Sequence, residues 1–113
     1  MDAFSNVKVG IAGWSYEDWN NVVYPADEKQ KLAYLANYFD CIEINSTFYR
    51  PASAQSAEKW AASVQHNESF VFSAKLWSQF THEFENAYPA ETEVRKTREG
   101  FLPLYEQGRL QAI

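Results

Sequence analysis

Three short segments of the chain alternate large apolar side chains with small or polar ones, the pattern of β-strands. They span residues 7–12 (VKVGIA), 41–45 (CIEIN) and 69–75 (SFVFSAK). In each segment the face without large apolar residues becomes more polar towards the carboxyl end. The large apolar faces consist of Val7, Val9 and Ile11, of Ile42 and Ile44, and of Phe70, Phe72 and Ala74.

Two segments with helical spacing of apolar residues separate these strands. Residues 27–38 carry the first stripe, and Asp27 is the predicted N-cap. Residues 53–64 carry the second stripe, with Ser53 or Ser56 as the cap. The sequence therefore alternates strand and helix.

A third helix and a fourth strand follow the third β-segment. Residues 91–106 form a looser apolar stripe, which Gly100 and Pro103 interrupt. Gly108 predicts the end of this helix, and residues 109–113 (RLQAI) predict the beginning of a fourth strand.

The order βαβαβα with a further strand predicts an α/β fold with a parallel sheet. A sheet with helices on both faces should be apolar on both faces, whereas each strand here has one polar or small face. A closed barrel accounts for this, because helices cover its outside and small groups fill its lumen. We therefore predict a TIM-type (β/α)8 barrel rather than a doubly wound open sheet.

Polar and aromatic residues follow each predicted strand, where barrels build their active sites. Glu43 and Lys75 are on the lumen face of neighbouring strands, and His82 follows the third strand. We predict a catalytic role for these three: Glu43 as acid or base, Lys75 as anion binder or amine, and His82 in proton transfer. The alternatives are a structural ion pair and a hydrogen-bonded loop histidine.

The predicted ligand-binding residues belong to the loops after strands one and two. Aromatic rings can stack on a sugar or a base, amides and hydroxyls can orient a ligand, and an arginine can bind a carboxylate or phosphate. The alternatives are packing for the rings, loop capping for the polar residues, and surface pairing of Arg50 with Glu58. The predicted residues are Trp14, Ser15, Tyr16, Asn45, Thr47, Tyr49 and Arg50.

Composition narrows the function classes. The net charge of −5 argues against binding nucleic acid or an anionic membrane, and no apolar run is long enough to span a bilayer. The only cysteine, Cys41, excludes an internal disulfide, and no secretory signal is present, so we expect a cytoplasmic protein. No metal site is predicted, because the rim offers only Glu43, His82 and Glu83 as ligands. The cofactor and the small-molecule ligand stay undetermined.

The segments GWSYEDW…VYP, EINSTFYRP and FVFSAKLWSQFTHE, together with Trp60, resemble the YecE-like family, known as domain of unknown function 72. The resemblance runs from about Val9 to His82 and more weakly to Leu110. It implies a TIM-type barrel of roughly twice this length, with no assigned activity. It therefore fixes the fold better than the function.

A barrel needs about 250 residues, and this chain has 113. We therefore expect residues 1–113 to form a single partial domain, the N-terminal half of a barrel. Its unpaired strand edges predict self-association. A half-barrel that dimerises is the alternative. For function, the alternatives are an enzyme, a non-catalytic binding module and an inactive fragment.

Overall fold

Four parallel strands form one sheet, and their order in the sheet follows the chain. The computed structural model describes residues 6–82 and 90–113. The strands are β1 (Gly10–Ala12), β2 (Cys41–Ile44), β3 (Val71–Ala74) and β4 (Leu110–Ala112). Consecutive strands pair in parallel. The fold is therefore α/β and consistent with the N-terminal half of a barrel, as predicted, although each strand is shorter than its sequence pattern.

Three helices connect the strands: α1 (Lys31–Leu35), α2 (Ala54–Ser63) and α3 (Glu91–Glu106). The cap of α2 is confirmed, because the Ser56 N–H donates to Ser53 Oγ at 3.1 Å. Helix α3 has the predicted bounds and continues through Pro103. Gly100 allows α3 to approach the segment before α2, since a Cβ there would lie 2.0 Å from the Ala52 carbonyl oxygen. This glycine serves packing and does not break the helix.

The first helix is shorter than predicted, and Asp27 is not its N-cap. Asp27 has a φ of 60°, in the left-handed region, whereas an N-cap residue has extended dihedrals. It lies in a turn in which the Glu28 N–H donates to the Pro25 carbonyl at 3.2 Å. The chain completes this turn before α1 begins at Lys31.

Helices cover one face of the sheet, and the other face is more open. Alternate residues of β2 and β3 are buried against the helices: Ile42, Ile44, Phe72 and Ala74. The residues between them are only half-buried: Cys41, Glu43, Val71 and Ser73. This difference between the faces is consistent with half of a barrel.

The first strand departs from the predicted pattern. Val7 and Val9 are 63% and 69% exposed, and only Ile11 packs against the core. The reason is that β1 begins at Gly10, so the residues before it have no strand partner to hold them against the helices. Lys8 in this segment is held by its Nζ, which donates to the Ser69 carbonyl at 2.8 Å.

Candidate functional site

Glu43 and Lys75 form the predicted ion pair at the carboxyl ends of β2 and β3. Glu43 lies opposite Ser73 in the sheet, and the Lys75 N–H donates to the Ile44 carbonyl at 3.0 Å, which continues the ladder beyond β3. Lys75 Nζ lies 3.9 Å from Glu43 Oε1. The side chains of Lys75 and Glu43 are 47% and 42% exposed, so water screens the pair.

An open cleft of about 470 Å³ contains this pair, and we call it the ion-pair cleft. His82 lines it, with Nδ1 2.7 Å from Thr81 Oγ1 and its ring edge-on to Phe48 at 5.4 Å. These two contacts orient the imidazole, although His82 is exposed. The cleft is lined by Glu43, Phe48, Tyr49, Ala74, Lys75, Leu76, Thr81, His82 and Ile113. It brings together the three predicted catalytic residues and Tyr49.

Thr47 lies beneath the loop that follows β2. It is buried within the short 3₁₀ turn Ser46–Phe48, and its hydroxyl donates to the Lys75 carbonyl at 2.6 Å. This bond ties the loop to the end of β3. The position of Thr47 supports the loop-capping alternative. Its hydroxyl hydrogen is used in this bond and is not free to donate to a ligand.

A second cleft, of about 320 Å³, lies beside the loop that follows β1, and we call it the aromatic cleft. Trp14 and Trp60 meet there at 5.9 Å between ring centroids, with their planes at 80°. The cleft is lined by Gly13, Trp14, Ser15, Tyr16, Asn45, Ser46 and Trp60. It brings together the four predicted ligand-binding residues Trp14, Ser15, Tyr16 and Asn45.

Arg50 lines a third cleft, of about 370 Å³, beside the N-terminus of α2. This cleft does not contain Lys75. The two predicted anion-binding residues, Arg50 and Lys75, therefore lie in different clefts. Within the described ranges Arg50 makes no ion pair with Glu58, the partner considered from the sequence. Ser46, Ser53, Ser56 and Trp60 line the same cleft.

The chain also matches the model of a known protein family. The model of the family "Protein of unknown function DUF72" matches residues 8–113. The chain belongs to the DUF72 family. This confirms the family indicated by the sequence motifs. No curated protein matches this DUF72 chain.

Two crystal structures of a DUF72 family protein from Enterococcus faecalis V583 share the fold. The one at 3.10 Å resolution is 20% identical, with a TM-score of 0.72, over 94% of this chain and 38% of that chain. The one at 2.52 Å is 21% identical, with a TM-score of 0.65, over 91% of this chain and 37% of that chain. This DUF72 chain therefore spans less than two fifths of the length of these relatives.

Cys41, the remaining reactive side chain considered from the sequence of the DUF72 chain, lines none of the three clefts. Burial raises the pKa of the half-buried Cys41 thiol, which lowers its thiolate content. Across residues 6–82 and 90–113, no three His, Cys, Asp or Glu side chains lie close enough together to hold a metal ion. None of the helices in these ranges has the length and hydropathy that a membrane-spanning helix needs. Glu83, considered from the sequence as a ligand, lies outside the described residues.

Sequence reasoning missed two contributions to the clefts. Trp60 packs against the core, as the stripe of residues 53–64 predicts, and it also lines the aromatic cleft and the cleft beside the N-terminus of α2. Phe48 was not singled out, although its ring contacts His82 and lines the ion-pair cleft. A tryptophan at the margin of a helical stripe is a sequence signal for such a residue.

Proposed function

We propose that this DUF72 chain supplies part of a pocket for a small anionic molecule, located in the ion-pair cleft. Lys75 binds the negative charge, and Glu43 is the acid–base group. The observation that supports this proposal is one cleft of about 470 Å³ that contains Glu43 and Lys75 at 3.9 Å together with His82. This volume is within the range of about 300–1,000 Å³ found for small-molecule sites.

The weakness of the ion pair favours ligand binding. Solvent-exposed pairs contribute about 0–1 kcal/mol to stability, and both partners here are nearly half exposed. An incoming carboxylate or phosphate therefore displaces Glu43 from Lys75 at small cost. The displaced carboxylate then lies beside the bound ligand, where it can accept a proton from it.

His82 supplies a second group for proton transfer. Thr81 and Phe48 orient its ring, and its exposure leaves it accessible to a ligand. Tyr49 is 78% exposed on the same cleft and offers a phenol hydroxyl. Acid–base chemistry needs both a base and an orienting partner near the ligand. The side chains of the ion-pair cleft that can supply them are Glu43, Lys75, His82 and Tyr49.

Anion binding is testable by titrating the full chain with inorganic phosphate and with malonate while following the His82 and Lys75 NMR signals. We expect saturable shifts of both signals in the wild type, and we expect the His82 shift to disappear in Lys75→Met. Lys59→Met is the matched control, because Lys59 is exposed on α2 and its loss changes the net charge equally. Equal loss of binding in both variants, or no saturable shift in the wild type, would refute the proposal.

A non-catalytic binding module is the second candidate, favoured by the exposure of the ion pair, since catalytic carboxylates are often more desolvated. The two candidates differ in the role of Glu43. In an enzyme, Glu43→Gln abolishes turnover while anion binding persists. In a binding module the same variant loses no function.

A further inference from the structure

The aromatic cleft has the composition of a site for an uncharged ring. None of its lining residues carries a charge, and it shares no residue with the ion-pair cleft. Trp14 and Trp60 form two aromatic walls whose planes meet at 80°. Flat ligands gain most from such walls, because offset stacking and edge-to-face contacts are both available to them.

The hydrogen bonds around Tyr16 show which atom of the Asn45 amide faces the tyrosine in the free protein. The Tyr16 hydroxyl donates to the Ala12 carbonyl, so its oxygen can only accept from Asn45. Asn45 Nδ2 donates to Tyr16 Oη at 3.2 Å. The remaining amide atom, Asn45 Oδ1, is buried and has no hydrogen-bond partner among the described residues.

Gly13 builds this arrangement into the backbone. Its φ is +73°, a conformation that favours glycine. A Cβ at this position would lie 2.6 Å from Tyr16 Oη and 2.9 Å from Asn45 Nδ2. A side chain at residue 13 would therefore displace the contact between the tyrosine and the amide.

A buried carbonyl oxygen without a partner costs free energy, because it has lost its hydrogen bonds to water. A ligand N–H that pairs with this oxygen therefore gains more binding free energy than one that pairs with an oxygen already hydrogen-bonded to water. We propose that the aromatic cleft binds an uncharged planar ring with an N–H at its edge, of the cyclic amide type found in pyrimidine bases. The ring lies against Trp14 and Trp60, and its N–H donates to Asn45 Oδ1. Asn45 Oδ1 is buried in the free protein, so binding requires the half-buried Asn45 side chain to rotate and to release its 3.2 Å hydrogen bond to Tyr16.

The volume of the cleft limits the size of this ligand. About 320 Å³ is at the lower end of the range for small-molecule sites, which suits one ring or a fused pair. The hydroxyl groups of Ser15 and Ser46 line the cleft and are available for the polar edge of the ring. The proposal does not depend on the function proposed for the ion-pair cleft.

Uracil and 1,3-dimethyluracil form a matched pair of probes, because both have the same ring and only uracil has N–H donors. We expect uracil to bind the full chain about tenfold more tightly, the value of one hydrogen bond to an otherwise unpaired acceptor. Titrations followed by the indole signals of Trp14 and Trp60 and the side-chain amide signal of Asn45 measure both affinities. Methyl β-D-glucopyranoside tests a sugar in the same cleft.

Asn45→Ala should bind the two rings equally, whereas Lys75→Met should retain the preference for uracil, because Lys75 lies outside this cleft. Circular dichroism checks the folding of each variant. Equal affinity of the wild type for the two rings would refute the proposal even if Asn45→Ala did not fold. So would tighter binding of the glucoside, or no binding of either ring. Loss of phosphate binding alone concerns only the ion-pair cleft.

Discussion

Replacing Glu43 with glutamine should raise the affinity of the ion-pair cleft for a small anion. Glu43 holds Lys75 at 3.9 Å and thereby competes with any ligand for the same ammonium group. Glutamine keeps the shape of the side chain but removes its charge. The variant therefore separates competition by the carboxylate from changes in packing.

The size of the effect follows from the distance and the exposure of the pair. Two unit charges near 4 Å interact by about 1 kcal/mol in water and by about 4 kcal/mol at an effective dielectric constant of about 20. Glu43 and Lys75 are 42% and 47% exposed, which favours the lower value and agrees with measured surface pairs. A change of about 1 kcal/mol corresponds to an affinity gain of about fivefold.

Isothermal titration with inorganic phosphate and malonate measures this gain. Glu58→Gln is the control, since it removes the same charge from the exposed surface of α2. The gain should decrease between about 0.1 M and about 1 M salt, because the Debye length decreases from about 10 Å to about 3 Å. Equal gains in the two variants would show that net charge, and not competition at Lys75, controls binding.

Three further predictions concern the loop, the core and the sheet edges. Thr47→Val should cost about 1–3 kcal/mol in urea unfolding, because the Lys75 carbonyl loses its buried donor; unchanged stability would contradict this. Tyr24→Phe should cost about 1 kcal/mol, because it loses the hydroxyl bond to the Trp14 carbonyl at 2.6 Å. Burial, followed by the nearby Tyr16, raises the pKa of Tyr24 in the folded protein above its ordinary value of 10.0, so wild-type stability should fall above that pH and less steeply in the variant. We also propose that the 113-residue chain self-associates, since β1 and β4 each pair on one side only within the described ranges; a monomer at every concentration in sedimentation would contradict this.

The sequence was sufficient for the sheet and for the ion pair, because both depend on regular periodicity. Period-two alternation puts Glu43 on the face opposite Ile44, and parallel pairing brings it near Lys75. The bounds of α3 were also predicted correctly, because its looser apolar stripe spans residues 91–106 and Gly108 marks its end. In a regular element the same spacing of apolar residues recurs along the whole segment, so several residues indicate the same structure.

The parts that sequence reasoning missed depend on how irregular segments run. Asp27 was predicted as an N-cap from its residue type, but the preceding turn puts it at a φ of 60°. Thr47 was predicted to contact a ligand, and only the path of its loop shows that its hydroxyl reaches the Lys75 carbonyl. Trp60 lies on a helical stripe, but whether a residue at the margin of a stripe faces the core or a cleft depends on its neighbours in space.

The loop after β2 is the common wall of all three clefts. In this loop, Phe48 lines the ion-pair cleft, Asn45 lines the aromatic cleft, and Arg50 lines the cleft beside α2. The 3₁₀ turn that follows Asn45 redirects the chain, so Asn45, Phe48 and Arg50 line different clefts. Thr47 fixes that turn to the end of β3 through its hydroxyl. We therefore expect the loss of this part-buried hydrogen bond to change phosphate binding and uracil binding together, although Thr47 lines none of the three clefts.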